Sequence, residues 1–320
     1  MSSWSGASGG LGIAAGVDAI QAGADIVLVI GAEVQTTRNA KEGADFLARA
    51  SHYETERGLD PFTFPAMFAR RTKAYCDKFG VTPEALAPIV AKAYDNANRN
   101  PNAHMREVQM TAEQAGSASD KNPCFLENEE LNPWLRVGDC SQVSDGGCAI
   151  ILCSDKGLEK LGECQGDPVD IVACEVACGP LGQVADLTKM DVTAAAASKA
   201  YAQAGWNATD IEVAEVHDCF SITEALICEA LGFCGDGEGT QLAAEGATSL
   251  NGRIPVNTGG GLMAFGHPVG ATGIKQAFEI FRQMNGLCGD YQLESSPARG
   301  LCANMGGDDR TSVVTLLQKN

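Results

Sequence analysis

The sequence predicts a layered α/β protein with its strands in the interior. Short apolar runs of strand length alternate along the chain with amphipathic or alanine-rich stretches of helix length, and this βαβα order is typical of such layers. Hydrophobic residues make up 45% of the 320 residues, which is enough to form a sizeable core. In layered α/β proteins reactive side chains lie where strands end and helices begin, so we expect the functional residues at those junctions.

A helix and a strand are predicted at the start of the chain. Ile13, Val17 and Ile20 recur at helical spacing. The apolar run 25–31 follows directly and predicts a buried strand. A second strand is predicted over 143–154, more than a hundred residues later.

The segment between these two strands, 34–135, differs in character. It is polar, it is interrupted by Pro-Asn and Asn-Pro pairs, and it predicts helices over 61–79 and 82–98. We therefore interpret it as an insertion. Residues 1–160 are predicted to form one βα half that carries this insertion, and residues 161–320 to form a second βα half.

The second half again alternates strands and helices. The predicted elements are a strand at 168–177, an alanine-rich helix at 192–204, a strand at 211–216, a helix at 221–231 and a final strand at 312–317. Asp218 directly precedes one of these helices, so we expect it to cap that helix.

Composition excludes several classes of function. The net charge of −18 argues against a nucleic-acid partner, which would require a basic face. No apolar run is long enough to span a membrane. Many of the thirteen cysteines lie in apolar runs such as 147–153, where they act as small hydrophobic residues, and no signal peptide is recognisable, so we expect a reducing, cytoplasmic setting. Cys174 and Cys178 have loose metal-like spacing, but no second pair answers them, and we predict no metal site.

Two of the four histidines fall in the two most unusual segments. His217 lies in Glu-Val-His-Asp-Cys-Phe at 215–220, and His267 lies in the glycine-rich segment 259–273. A neutral imidazole is the usual proton carrier near pH 7, and glycines let backbone amides approach a substrate closely. Together the two segments predict an acyl-transfer site. His104, in a polar loop, is interpreted as a surface residue.

Two further runs complete a family pattern. They are Asp-Cys-Ser-Gln-Val-Ser-Asp-Gly-Gly at 139–147 and Asn-Met-Gly-Gly-Asp-Asp-Arg-Thr-Ser-Val-Val at 304–314. With the two histidine segments they resemble, in the same order, the motifs of thiolases, specifically the branch of the sterol carrier protein 2 thiolase. The resemblance runs through the whole chain. It implies a thiolase-like αβαβα fold of two related βα halves, the first of them truncated, with the insertion forming a cap over the coenzyme.

The resemblance also implies a role for each residue of the site. His217 would help hold the thioester or enolate oxygen, Cys219 would move a proton at the α-carbon of an acyl-CoA, and His267 would activate a nucleophile. The backbone amides of Gly306 and Gly307 would form a second oxyanion hole. We expect the following helix N-terminus to lower the pKa of the Cys219 thiol.

Contacts to the substrate are implied by the same resemblance. Gly260 and Gly261 would let the backbone pass close to the pantetheine, and Phe265 stands where relatives often carry a lysine. Because the chain is acidic, it must bind anionic coenzyme A through local basic groups. The basic cluster 70–73 is a candidate, although a solvated basic face is the commoner explanation for such a cluster. Cys302 lacks the Cys-x-Gly context of another thiolase cysteine, so we assign it no role.

The start of the chain departs from the family pattern. Relatives carry a nucleophilic cysteine in a Cys-Ala-Ser-Gly-Gly stretch, whereas Gly6 occupies that position here, in Gly-Ala-Ser-Gly-Gly. Glycine offers no nucleophile, so the acyl-enzyme step has no acceptor. Family members also carry several βα elements ahead of this helix, so the chain is either a fragment or a shortened homologue. We expect a cysteine at position 6 of a full-length version to raise thiolysis by orders of magnitude.

Two classes of function follow. The first is an acyl-CoA C-acyltransferase, such as an acetyl-CoA acetyltransferase, that runs Claisen condensation or thiolysis of a 3-oxoacyl-CoA and is impaired by the loss of the nucleophile. The second is a non-catalytic acyl-CoA-binding or scaffold subunit that partners an active thiolase or a zinc-ribbon/OB-fold protein. In both, coenzyme A and acyl-CoA are the ligands, no separate cofactor is expected, and a homodimer or higher oligomer is implied by the resemblance.

Overall fold

The computed structural model describes residues 5–162, 166–182 and 184–319. Its α-helices are α1 (Ser8–Gln21), α2 (Ala40–Ala48), α3 (Tyr53–Glu56), α4 (Thr63–Phe79), α5 (Ala87–Arg99), α6 (Ala112–Gly116), α7 (Asp155–Leu161), α8 (Asp191–Ala204), α9 (Ser221–Ala230), α10 (Gly239–Ala244) and α11 (Thr272–Met284). Its strands are β1 (Ile26–Glu33), β2 (Gly146–Cys153), β3 (Asp170–Cys178), β4 (Val213–Val216), β5 (Arg299–Gly306) and β6 (Thr311–Gln318).

The strands form two sheets. β1 and β2 pair antiparallel, with Leu28 opposite Ile151. The larger sheet has the order β3-β6-β5-β4, in which β4 and β5 are parallel and the other neighbours antiparallel. A four-residue connection joins β5 to β6, and a link that short permits only antiparallel pairing.

Helices separate and cover the two sheets. α1 and α11 pack against each other and against strands of both sheets, so they form a central helical layer. α8 lies on the larger sheet, against β3 and β6. Apolar side chains from the central helices and both sheets meet in one cluster, which includes Ile13, Val29, Ile274 and Cys302. The predicted layered α/β architecture is confirmed.

Glycines allow the two central helices to touch at their first turns. A Cβ atom added to Gly9 would lie 2.7 Å from the backbone nitrogen of Gly273, and one added to Gly273 would lie 2.3 Å from the nitrogen of Gly10. Real Cβ atoms essentially never approach so closely. The glycines of two distant motifs are therefore needed for one helix contact, which brings the start of the chain beside the loop that carries His267.

The insertion between β1 and β2 is helical and shares a core with the second half. The helix predicted over 61–79 is α4, and the one predicted over 82–98 begins with a 3₁₀ turn and continues as α5. Phe68 of α4 stacks on Phe220, with ring centroids 4.5 Å apart. The insertion is thus packed directly on the segment that follows His217.

The prediction that the run 25–31 is a buried strand is wrong for one of its faces. Val29 packs inward and is 6% exposed, whereas Leu28 and Ile30 are 57% and 65% exposed. Ile151, opposite Leu28, is 54% exposed. α1 covers the inner face of the β1–β2 pair, and the outer face is open to solvent although it is apolar.

Candidate active site

Three of the sequence motifs meet where β4 ends. His217 follows the last residue of β4 and is 2% exposed. The backbone nitrogen of Ser141 donates to the carbonyl of Cys219 over 2.9 Å. Val143 forms a parallel bridge with His267. The run 139–147 therefore lies against both histidine segments, which are far apart in sequence.

The fourth motif joins them through Asn304 on β5. The Asn304 amide nitrogen lies 2.9 Å from the carbonyl oxygen of Gly6 and 3.1 Å from Nδ1 of His217. Its side-chain oxygen accepts a hydrogen bond of 2.9 Å from the backbone nitrogen of Gly10. The structure thus places Gly6 beside His217.

The two histidines of the site are neighbours. Their rings meet edge to face, with centroids 5.1 Å apart and planes at 86°. Nδ1 of His267 lies 2.8 Å from the hydroxyl oxygen of Thr272, and that hydroxyl donates to the carbonyl of Pro268 over 3.2 Å. Because the Thr272 proton is used in this way, the hydroxyl oxygen accepts a hydrogen bond from Nδ1–H of His267. Nε2 of His267 then carries a free lone pair.

Burial keeps both imidazoles neutral at pH 7. Loss of solvent lowers the pKa of His267 to about 4. Loss of solvent, together with the neighbouring His267, holds the pKa of His217 well below its usual value. The unprotonated rings suit a site in which one histidine accepts a proton and the other donates a hydrogen bond.

The expected lowering of the Cys219 pKa is wrong. Burial is the largest influence and raises the pKa of this thiol to about 12, so the group is protonated at neutral pH. Its sulfur lies 3.7 Å from the hydroxyl oxygen of Thr223, which itself donates to the carbonyl of Phe220 over 2.6 Å. Cys219 is therefore available as a proton donor rather than as a thiolate.

Asp218 does not cap α9. One of its carboxylate oxygens accepts a hydrogen bond of 2.7 Å from the backbone nitrogen of Leu262, in the glycine-rich loop. A Cβ atom on Gly261 would lie 2.1 Å from the other carboxylate oxygen, and one on Gly260 would lie 2.8 Å from Cβ of Ala97. Both glycines also have positive φ, of 108° for Gly260 and 60° for Gly261. Their lack of side chains is thus explained by packing within the protein.

Phe265 lines a cavity of about 560 Å³ beside the His267 loop. The ammonium group of Lys275 lies 4.5 Å from the centre of the Phe265 ring and 3.2 Å from a carboxylate oxygen of Glu215. His104, predicted at the surface, is exposed, and it lines the same cavity. Its Nδ1 lies 3.0 Å from the hydroxyl of Ser144. A basic group near Phe265 is therefore supplied from α11, which the local sequence around Phe265 does not indicate.

The basic cluster 70–73 is not a uniformly solvated face. Arg71 is fully buried, and its Nε donates to a carboxylate oxygen of Asp308 over 2.5 Å. The same guanidinium donates to the carbonyls of Leu187 and Lys189. Arg71 is thus committed to fixing the turn between β5 and β6 and is not accessible to a ligand.

That turn carries the two glycines predicted to supply oxyanion donors. Gly306 is the last residue of β5, and Gly307 adopts a left-handed conformation with φ of 67°. The carboxylate of Asp309 accepts hydrogen bonds from the backbone nitrogens of Val192 and Thr193, in the first turn of α8. A residue of the β5–β6 turn therefore caps this helix. The turn is held from both ends, by Arg71 and by the start of α8.

Position 6 has no room for a side chain. A Cβ atom built on Gly6 would lie 2.6 Å from the carbonyl oxygen of Met305 and 2.9 Å from Cε1 of His217. Contacts under 3.0 Å require a neighbour to move, and the carbonyl belongs to the rigid backbone of β5. A cysteine at position 6 therefore requires a neighbour to move, and the expectation that it raises thiolysis in a full-length version stays a prediction.

Fold and site together define a layered α/β protein in which two neutral histidines and a buried thiol lie where β4 ends. Residues 176–319 match the family described as thiolase C-terminal domain-like. An acetyl-CoA acetyltransferase of Methanothermobacter thermautotrophicus is 36% identical over 98% of this chain and 78% of that protein. Sterol carrier protein 2 of Gallus gallus is 32% identical over 76% of this chain and 43% of that protein. The chain belongs to the thiolase family, in the branch of the sterol carrier protein 2 thiolase.

A solved structure supports the same fold. An Ltp2–ChsH2(DUF35) aldolase matches with a TM-score of 0.81 over 98% of this chain and 78% of that chain, at 23% identity. At this level of identity the match establishes the architecture alone.

Within 5–162, 166–182 and 184–319, no helix combines the length and the apolar character needed to cross a bilayer. In the same part of the chain, no three histidine, cysteine, aspartate or glutamate side chains are arranged to hold a metal ion.

Proposed function

We propose that this chain binds an acyl-CoA thioester and performs acid–base chemistry at its α-carbon without forming a covalent acyl-enzyme. The observation that carries the proposal is the surroundings of Gly6. Two neutral histidines face each other beside a position that has neither a nucleophile nor space for one. Residues that can transfer protons are present, whereas position 6 has no nucleophile that could accept the acyl group.

Each residue of the site has a role in this proposal. His217 donates a hydrogen bond to the thioester oxygen as it becomes an enolate oxygen, and Gly306 and Gly307 supply backbone donors nearby. His267 accepts a proton on Nε2, where its lone pair is free. Cys219 delivers a proton to the α-carbon, in keeping with a pKa of about 12 that keeps the thiol protonated. Gly260, Gly261 and Phe265 belong to the loop along which the pantetheine would lie.

The family reaction should be very weak in this chain. Thiolysis of a 3-oxoacyl-CoA and Claisen condensation both pass the acyl group to a nucleophile, which position 6 cannot provide. We therefore expect acetyl-CoA acetyltransferase activity to be close to the uncatalysed rate.

Cleavage of a 3-hydroxyacyl-CoA needs no such acceptor and fits the resting protonation states. His267 takes the hydroxyl proton, the bond between the α- and β-carbons breaks, and a carbonyl product leaves. The electron pair passes to the thioester oxygen held by His217, and Cys219 protonates the α-carbon. The proton on His267 then returns to the Cys219 thiolate, so the cycle is balanced. The similar solved structure described as an aldolase supports this candidate only through its fold.

The second class of function is a non-catalytic acyl-CoA-binding or scaffold subunit. The same closed position at Gly6 favours it, because a scaffold has no need of a nucleophile. Such a subunit would work in a homodimer or higher oligomer, or beside an active thiolase or a zinc-ribbon/OB-fold partner. The apolar outer face of β1 and β2 is a surface that an assembly could cover.

Deuterium exchange separates these possibilities. Acetyl-CoA is incubated with the protein in D₂O, and its deuterium content is measured by mass spectrometry. Exchange passes through the form in which the Cys219 proton has moved to Nε2 of His267, so that the thiolate takes the α-proton and a deuteron replaces it. We expect this exchange with the wild-type protein and a loss of about 10²–10⁴-fold in Cys219→Ala and His267→Ala. Cys228→Ala, a change to an equally buried thiol on α9, is the matched control and should keep the rate. Binding of acetyl-CoA without exchange would favour the scaffold.

A further inference from the structure

Asn304 is the one described side chain that hydrogen-bonds to both the start of the chain and a site histidine. It is 2% exposed, and it lies in the middle of the buried strand β5. Its amide nitrogen contacts the carbonyl oxygen of Gly6 at 2.9 Å and Nδ1 of His217 at 3.1 Å. Its amide oxygen lies 2.9 Å from the backbone nitrogen of Gly10. The resemblance to thiolases assigns no role to this residue.

The two backbone partners fix the orientation of this amide. A backbone N–H can only donate, so the group facing Gly10 must be the amide oxygen. A backbone carbonyl can only accept, so the group facing Gly6 must be the NH₂. An exchange of the oxygen and nitrogen of Asn304 would break both contacts. The orientation therefore follows from groups whose polarity is fixed, without any assumption about the histidine.

This orientation decides which nitrogen of His217 carries the proton. The NH₂ of Asn304 has two protons, one for the carbonyl of Gly6 and one that points to Nδ1 of His217. Nδ1 must then be an acceptor, which places the single proton of the neutral ring on Nε2. His267 has the opposite arrangement, because Thr272 holds its proton on Nδ1.

We propose that Asn304 is a positioning residue that sets the tautomer of His217, so that the two histidines present one Nε2–H donor and one Nε2 acceptor to the substrate. The importance of this arrangement for chemistry rests on the proposed function, whereas the tautomer itself does not. A ring with its proton on Nδ1 would turn a lone pair toward a developing enolate oxygen and repel it.

An aspartate at position 304 reverses the arrangement. A carboxylate can still accept from the backbone nitrogen of Gly10, but it has no proton for Nδ1 of His217. The His217 ring then gains by donating Nδ1–H to the carboxylate, which leaves Nε2 without a proton. The carbonyl of Gly6 also loses its donor. Asn304→Asp therefore converts the oxyanion donor into an acceptor while it changes the side-chain volume very little.

The first test uses the wild-type protein with ¹⁵N-labelled histidine. The chain has four histidines, so long-range ¹⁵N–¹H correlation spectra contain four ring systems. Comparison with His217→Gln and His267→Gln assigns the two of interest. We expect His217 as the Nε2–H tautomer and His267 as the Nδ1–H tautomer. An Nδ1–H tautomer for His217 in the folded wild type would overturn the proposal, whether or not any variant folds.

The second test compares Asn304→Asp with Asn122→Asp. Asn122 is also 2% exposed and also uses both ends of its amide, donating to the carbonyl of Ala115 and accepting from the backbone nitrogen of Gly138. We expect Asn304→Asp to switch His217 to Nδ1–H and to slow α-proton exchange of acetyl-CoA by about 10²–10³-fold. Asn122→Asp should do neither. A folded Asn304→Asp protein with an unchanged tautomer or an unchanged exchange rate contradicts the proposal.

The tautomer measurement and the exchange measurement together distinguish a failure of this inference from a failure of the proposed function. If the wild-type protein shows the expected tautomers and no exchange of acetyl-CoA, the proposed function fails and the assignment of Asn304 stands. If exchange occurs and survives Asn304→Asp, the proposed function stands and the role of Asn304 fails.

Discussion

The imidazole rings of His217 and His267 lie perpendicular to each other with their centroids 5.1 Å apart. Among the described residues neither ring has a charged partner, and loss of solvent disfavours the protonated form of both. Both rings are therefore neutral at pH 7.

The free energy of unfolding should decrease as the pH falls below neutrality. The pKa of His267 falls from about 6.5 in the unfolded chain to about 4 in the folded protein, and that of His217 is also lowered. A histidine with a depressed pKa contributes stability that is present above about pH 6.5 and is lost as the pH falls toward the folded-state value. Each group should cost up to about 1.4 kcal/mol per pH unit within that window. Urea unfolding from pH 8 to 4.5 measures the slope, and NMR titration of His267 gives its pKa. A folded-state midpoint near 6.5 would contradict the lowered pKa of His267.

Substitution of Gly6 should destabilise the protein. Gly6→Ala forces a Cβ atom against the carbonyl of Met305, and overpacking of this kind costs about 1–3 kcal/mol. Gly43→Ala is the matched control, because nothing lies within 4 Å of a Cβ atom there. That change should be neutral or should stabilise by about 0.4–1 kcal/mol. Chemical unfolding of both variants is the measurement. A Gly6→Ala protein as stable as Gly43→Ala would show that position 6 has room for a nucleophile after all.

Thr272→Val should weaken the preference of His267 for the tautomer with its proton on Nδ1. Valine keeps the shape of threonine but cannot accept a hydrogen bond from Nδ1–H of His267. In the structure Nδ1 lies 2.8 Å from the Thr272 hydroxyl oxygen. Loss of one hydrogen bond costs about 1 kcal/mol, so we expect acetyl-CoA exchange to slow about fivefold. Thr315→Val, a buried change on β6 whose hydroxyl contacts Cys174, serves as the control. Equal exchange rates for the two variants would show that the hydrogen bond from His267 to Thr272 does not contribute to exchange.

Arg71→Met should be among the most damaging single changes outside the site. It leaves Asp308 buried without its partner, and breaking a buried ion pair in this way costs about 3–5 kcal/mol. Arg71→Met combined with Asp308→Leu removes both charges and should recover part of that loss. Unfolding free energies of the single and double variants test this. A single variant within about 0.5 kcal/mol of wild type would mean that the pair does not hold the turn after Gly306.

Local patterns predicted many elements because their periodicity is strong. The helices at 61–79 and 192–204 and the strands that end beside His217 and at the C-terminus lie within a few residues of their observed bounds. α11 has no predicted counterpart, although Ile274, Ala277 and Ile280 recur at helical spacing and would have indicated it.

The parts that the sequence did not predict depend on distant partners. β1 was expected to be buried on both faces, but whether Leu28 is covered depends on elements that pack against it and not on its own strand. Arg71 belongs to a basic cluster, and its burial is set by Asp308, which lies 237 residues further along the chain. Asn304 lies inside a recognised motif, yet its contacts with Gly6 and His217 appear only when three separate segments meet.

One mass-spectrometric experiment tests the central claim most directly. The protein is incubated with acetyl-CoA in D₂O, and a single sample gives both the deuterium content of the thioester and the intact mass of the protein. The account predicts deuterated acetyl-CoA together with a protein that carries no acetyl group. An acetylated protein, or acetyl-CoA that binds and remains undeuterated, would contradict it.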